Sequence, residues 1–183
     1  VQAESRTYYA VCFYEGQSKT AAETVRDDII ASGGSGYVIC SGAYKVYGGM
    51  YAKRSDADTV AARQSNAFVE TFGWERTKMR FSSHAEAVNV KKALSFYSEV
   101  ADKLVESASL VIKEEESSVA VKSYAAAARK KFSEYSASIS DEKLSLLFER
   151  AAVSVKALEE CDDADFLSVL RFVSQDLAVL RGA

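Results

Sequence analysis

The first 82 residues contain short runs in which apolar and polar positions alternate, which is the pattern of β-strands. Two stretches with helical spacing interrupt these runs. Residues 7–14 are rich in aromatic and β-branched side chains, and we expect them to form a strand. Residues 19–31 have the spacing of a helix, and Ser18 can cap its start. The apolar positions of this helix share one face and are Ala22, Val25, Ile29 and Ile30.

Three further strands and a second helix complete this half of the chain. We expect them at residues 37–40 (strand), 44–48 (strand), from Ser55 or Asp56 onward (helix) and 74–81 (strand). The order β-α-β-β-α-β predicts the split β-α-β arrangement, in which both helices pack on one face of an antiparallel sheet. Residues 6–81 are therefore predicted to form one α/β domain.

The pattern changes near residue 82. From there the chain has no glycine before Gly182, and apolar residues recur every three to four positions, which indicates helices. We expect three or four of them, at residues 83–113, 117–137, 141–160 and 163–181. Their lengths and short connections favour an all-α bundle or hairpin region at residues 83–183. The predicted fold class is α+β, a ferredoxin-like or RNP-like β-α-β-β-α-β domain followed by an all-α domain.

Composition and charge narrow the classes of function. Apolar residues make up 48% of the chain and charged residues 27%, the balance of a globular protein with a core. A net charge of −3 argues against a general nucleic-acid binder. The cysteines, Cys12, Cys40 and Cys161, have no metal-ligand spacing and are too few for a disulfide framework. We interpret them as small buried apolar residues.

One segment resembles a known family. It reads Tyr44-Lys45-Val46-Tyr47-Gly48-Gly49-Met50-Tyr51 and continues through Ser55-Asp56-Ala57-Asp58 to Ala61-Ala62-Arg63. This segment resembles the second half of a bacterial SPOR domain, which typically has Tyr-Arg-Val, then Val-Gly-Pro-Phe, then a serine-capped helix. The looser first half of that family is matched by Tyr9-Ala10-Val11-Cys12, in which Cys12 replaces the usual Gln.

The resemblance implies a function and a location. SPOR domains bind peptidoglycan glycan strands, particularly strands stripped of stem peptides, and often mark division or sporulation septa. They are not enzymes, and the resemblance implies no cofactor and no nucleic acid as a partner. A chain of this family is extracytoplasmic, and we expect a membrane anchor that lies outside this chain.

Strand alternation assigns a ligand surface within this resemblance. If Val11, Phe13 and Val46 face the helices, their neighbours face away from them. The residues predicted to bind glycan on that exposed sheet face are Tyr14, Lys45, Tyr47, Lys78 and Arg80. Aromatic rings pack on sugar rings, and cations bond to hydroxyl and acidic groups. The alternative is that the two tyrosines form a cross-strand pair on a solvated face, or are covered by the helices.

Two other functions stay open at this point. If the helices cover the sheet, the chain is a protein-interaction or structural module with a protein partner bound through its helices. An RNA-binding fold shares the same topology, although the Tyr47–Tyr51 segment lacks the preceding Lys/Arg-Gly of that motif. Either function would be non-catalytic, as glycan binding would be.

No catalytic constellation stands out in the sequence. His84 is the single histidine, it lies at a predicted helix start, and no Gly-x-Ser-x-Gly motif is present. Residues 33–36 are glycine-rich but lack the Lys-Ser/Thr of a phosphate-binding loop. The acidic runs at 114–116 and 162–165 are typical of a helix junction and a helix start. We therefore predict that the chain is not an enzyme.

Overall fold

The structure is a computed structural model that describes residues 1–182. Over these residues the chain is α+β, and the strands precede a helical region. The strands are β1 (Gln2–Ala3), β2 (Arg6–Gly16), β3 (Tyr37–Cys40), β4 (Tyr44–Tyr51), β5 (Phe68–Trp74) and β6 (Thr77–Lys78). The helices are α1 (Lys19–Ala31), α2 (Arg54–Ala61), α3 (His84–Ile112), α4 (Ser118–Ser138), α5 (Glu142–Glu160) and α6 (Phe166–Gly182).

The main sheet has the strand order β3-β4-β2-β5, and all neighbouring strands are antiparallel. Strand β2 therefore lies in the interior of the sheet, between β4 and β5. Its residues Ala10, Val11 and Cys12 are fully buried, because both faces of the sheet are covered. The element order β-α-β-β-α-β agrees with the prediction from the sequence.

The last strand of the main sheet lies earlier than residues 74–81, where the sequence predicts it. Strand β5 pairs with β2 along its whole length, from Phe68 opposite Cys12 to Trp74 opposite Arg6. Lys78 belongs instead to β6, which pairs with β1 in a separate two-stranded sheet. The reason is burial: β5 places aromatic rings against the apolar core, whereas both residues of β6 are exposed.

Helices α1 and α2 cover one face of the main sheet. The Ser18 side chain caps α1 as predicted, by accepting a hydrogen bond from a backbone N–H of the first turn. Ala22 and Ile29 are buried against the sheet, whereas Ile30, predicted to face inward, is 39% exposed. Helix α2 is only two turns long and buries Ala57.

Helices α3 to α6 begin and end within three residues of their predicted bounds. Ser83, Ser117 and Asp141 precede α3, α4 and α5, and each side chain accepts a backbone N–H of the following turn. A cluster of aromatic rings from three of these helices, including Phe132 and Phe148, fills the centre of the bundle. Among residues 1–182 no helix has both the length and the apolar character to cross a membrane.

The helices of the second half pack directly on the sheet. A single apolar core contains Tyr47 and Met50 of β4 together with Leu170 and Leu177 of α6. Helices α3 and α6 cover the sheet face opposite α1 and α2, and α4 and α5 pack outside them. Residues 6–81 and the helical segment after them therefore share one core.

Candidate functional site

Helix α6 crosses the sheet face that the sequence assigns to the ligand. Asp176 of α6 accepts a hydrogen bond from the Tyr37 hydroxyl at 2.9 Å, and Ser168 donates to the carbonyl of Gly34 at 2.8 Å. Tyr47, predicted to be exposed on this face, is only 1% exposed. The prediction of an open sheet face is therefore corrected, because α3 and α6 bury their own apolar residues against it.

The covering helix leaves one corner of this face partly exposed. The contacts of α6 run from Tyr37 at the start of β3 to Trp74 at the end of β5. In the register of the sheet, Tyr37 is level with Tyr47 and Phe68, whereas Lys45 lies further along, opposite Glu15 near the end of β2. The side chains of Lys45 and Glu70 remain 23% and 27% exposed. This corner carries the predicted ligand residues that the structure brings together.

Lys45 and Tyr47 meet through a residue that the sequence does not single out. The Lys45 ammonium donates to Glu70 Oε1 at 2.5 Å, and the Tyr47 hydroxyl donates to Glu70 Oε2. Glu15 lies 3.7 Å from the same ammonium, whose nitrogen is 5.9 Å from the centre of the Phe68 ring. We call these five residues the Lys45 cluster.

Burial and hydrogen bonding set the charges within the Lys45 cluster. Burial raises the pKa of the Tyr47 hydroxyl, and its hydrogen bond to Glu70 raises that pKa further. Burial also raises the pKa of the Glu70 carboxyl, but hydrogen bonds from Lys45 and Tyr47 outweigh it, so the net shift is downward. At neutral pH the cluster therefore holds the neutral Tyr47 phenol, the Lys45 ammonium and the Glu70 carboxylate.

The other predicted ligand residues do not join the Lys45 cluster. Irregular pairing of β2 with β4 around Cys12 breaks the strict alternation, and Tyr14 packs on the α1 side of the sheet instead. Its hydroxyl donates to the carbonyl of Ser18 at 3.2 Å. Lys78 and Arg80 are exposed and lie at or just beyond β6, next to the N-terminal strand.

Sequence reasoning missed Phe68 and Glu70 because it placed the last strand too late. The signal was present in the run Phe68-Val69-Glu70-Thr71-Phe72, which is rich in the aromatic and β-branched residues that favour strands. Since Glu70 lies opposite Ala10 in the register of β2 and β5, a correct strand would have placed it on the face of Tyr47.

Of the three cysteines predicted to be buried, Cys12 is buried, Cys161 is half-buried and Cys40 is exposed, because Cys40 ends the short edge strand β3. Burial raises the pKa of the Cys12 thiol to about 11, so it stays protonated and inaccessible at neutral pH. His84 is exposed at the first turn of α3. Within residues 1–182 no group of three or more histidine, cysteine, aspartate or glutamate side chains is arranged to hold a metal ion.

Comparisons with known proteins found no relative of this chain. No protein-family model, no curated protein and no solved structure matches the chain. The function is therefore inferred from the Lys45 cluster, from the surfaces around it and from the sequence resemblance.

Proposed function

We propose that the chain is a non-catalytic binding module for cell-wall glycan, and that the Lys45 cluster is its contact surface. The observation that carries the proposal is the convergence of the Lys45, Tyr47 and Glu70 side chains at a partly exposed corner of the sheet face, beside the half-buried ring of Phe68. The predicted β-α-β-β-α-β element order, with α1 and α2 on one face of an antiparallel sheet, supports this proposal. In this proposal the chain works outside the cytoplasm, in the bacterial cell envelope.

The chemistry of the Lys45 cluster suits a sugar. The Phe68 ring offers an apolar platform for a pyranose face, and the carboxylates of Glu15 and Glu70 accept hydrogen bonds from hydroxyl groups. Lys45 donates to ring or acetamido oxygens while it stays paired with Glu70. Because the groups already hold one another in place, binding orders few side chains.

The covered centre of the sheet limits how much of a glycan the module can contact. A strand cannot lie across the face without displacing α6, whose Leu170 and Leu177 are fully buried there. We therefore expect the Lys45 cluster to contact one or two sugar units at this partly exposed corner. Contacts of that size bind weakly, with a Kd of about 1 mM, corresponding to roughly 4 kcal/mol.

Sedimentation with purified sacculi tests the proposal. We expect the full chain to co-sediment with amidase-stripped sacculi, and a folded Lys45→Met/Phe68→Leu variant to lose most of that binding. Lys130→Met, at an exposed lysine of α4, is the matched control and keeps it. A wild-type chain that stays in the supernatant with every form of sacculus would exclude glycan binding. Equal binding by the double variant would exclude the Lys45 cluster as its site.

A second candidate function is a protein-interaction or structural module. Two observations favour this function. Helices α3 and α6 pack over one face of the sheet, and an apolar groove lies between α5 and α6. Leu146, Val153 and Phe172 line that groove and are each at least 42% exposed. A photo-crosslinking residue at position 153 would form a discrete protein adduct in cells. The same probe at exposed Lys143 of α5 serves as the control, and no excess over it would rule this function out.

A further inference from the structure

Helices α1 and α2 lie on the same face of the sheet but do not close over it. Each has its own small apolar cluster, one around Ala22 and Ile29 and the other around Ala57 and Ala61. Phe13 of β2 packs against both clusters. An open groove of about 540 Å³ separates the two helices, a volume within the range of small-molecule sites. We call it the interhelix groove.

The floor of the interhelix groove is aromatic. The Phe13 ring lies directly against the backbone of Gly48, where any β-carbon would overlap the ring. Tyr51 lines the groove at the end of β4, and its hydroxyl makes no hydrogen bond within residues 1–182. A planar ring bound here would contact Phe13 and have a hydroxyl donor beside it.

One arginine reaches this groove from the far side of the sheet. Strand β3 starts opposite Tyr47, so the later residues of β4 have no strand neighbour on that side. Arg171 of α6 passes this open edge beside Gly49, with its Cδ 3.4 Å from the position that a β-carbon of Gly49 would take. Its Nη1 donates to the carbonyl of Gly33 at 2.7 Å, which holds the half-buried guanidinium in place.

The charges that line the interhelix groove are unbalanced. Arg171 and Arg63, the latter just after α2, both line it, and neither has a carboxylate partner at ion-pair distance among residues 1–182. Asp28 of α1 lines the opposite wall and supplies one negative charge. Arg63 is exposed and Arg171 is half-buried with one carbonyl partner, so both guanidinium groups keep donors free, and their planar geometry matches carboxylate and phosphate oxygens.

We propose that the interhelix groove binds an organic oxyanion whose ring lies on Phe13 and whose carboxylate or phosphate is held by Arg63 and Arg171. The Gln64 amide and the Tyr51 hydroxyl supply neutral hydrogen bonds at the rim. This site is on the face opposite the Lys45 cluster and does not depend on glycan binding there. Asp28 weakens binding by repelling the anion.

Nuclear magnetic resonance titrations of the full chain test this site with defined probes. Phenyl phosphate and benzoate carry both a ring and an oxyanion, benzyl alcohol carries only the ring, and inorganic phosphate carries only the charge. We expect saturable shifts of the Gly34 and Gly48 amides with the first two probes. The other two should bind at least about tenfold more weakly, and the better of the first two identifies the preferred anion.

Variants separate charge recognition from simple filling of a cavity. The Arg63 side chain makes no hydrogen bond or ion pair within residues 1–182, so Arg63→Gln should weaken phenyl phosphate about tenfold without disturbing the fold, and Arg171→Gln should weaken it similarly. Asp28→Asn should strengthen binding, and Arg76→Gln, outside the groove, should leave it unchanged. The proposal is overturned if no probe saturates, if benzyl alcohol binds as well as benzoate, or if Arg63→Gln and Asp28→Asn both bind like the wild type.

Discussion

At the scale of single residues, the hydrogen bond from Tyr47 to Glu70 joins a buried side chain of the sheet to a partly exposed carboxylate. The Tyr47 hydroxyl is buried and its partner is a carboxylate, so loss of the donor leaves Glu70 partly unsatisfied. We expect Tyr47→Phe to lower the free energy of unfolding by about 1–3 kcal/mol, measured by urea denaturation. Tyr9→Phe is the control, because the Tyr9 hydroxyl makes no hydrogen bond within residues 1–182. Equal losses in both variants would contradict the assigned role.

The Glu70 carboxyl should also make stability depend on pH. Burial raises its pKa, but hydrogen bonds from Lys45 and Tyr47 lower it by more, so the folded pKa lies below the unfolded one. The stabilisation is therefore present above the unfolded pKa and is lost as pH falls through the folded pKa. We expect the wild type to exceed Glu70→Gln in urea midpoint at neutral pH and the difference to close in acid. A difference that stays constant from pH ~7 to ~3 would contradict this linkage.

At the scale of elements, the sequence predicted the bounds of helices and strands that local patterns determine. It missed the features that depend on how the strands pair with one another. The bounds of α1 and β3 are as predicted, because capping, turn glycines and periodicity lie within each segment. Tyr14 was assigned to the wrong face, because the irregular pairing around Cys12 depends on how β2 meets β4. The last strand was placed late, because residues 77–81 alternate in the manner of a strand, whereas it is β5 that pairs with β2.

The pairing of β5 with β2 depends on one glycine. Gly73 has a φ of +138°, and a β-carbon there would overlap the carbonyl oxygen of Arg6 on the neighbouring strand. We expect Gly73→Ala to destabilise the fold by more than about 3 kcal/mol, from steric overlap added to backbone strain. Gly42→Ala, at a φ of +81° with open space around it, should cost only about 1 kcal/mol. Similar urea midpoints for the two variants would show that the overlap is relieved.

At the scale of the whole molecule, the helical half determines which sheet surface a ligand can reach. The sequence showed that α3 and α6 are amphipathic but not what their apolar faces contact. One signal was available: α6 places apolar residues on more than one side, as with Leu170 and Phe172, which is typical of a helix buried between layers. The convergence of Lys45 and Glu70 depends on the tertiary register and could not be predicted from either segment alone.

The shared core has a direct consequence for folding. Phe132 is fully buried in the helical bundle, next to the ring of Tyr97, and Tyr97 in turn contacts Trp74 of the sheet. Phe132→Ala removes a large core side chain, which should cost about 3–5 kcal/mol. If sheet and helices unfold as one unit, that loss must appear in both.

Hydrogen exchange at single amides, compared between wild type and Phe132→Ala, tests this shared core most directly. We expect the amides of Val11 and Val46 in the sheet to lose as much protection as that of Ala128 in α4. The sheet face would then be an interior surface, open to ligand only at the Lys45 cluster. Loss of protection confined to α4, with Val11 and Val46 unchanged, would mean that the sheet unfolds independently of the helical bundle and would contradict the shared core.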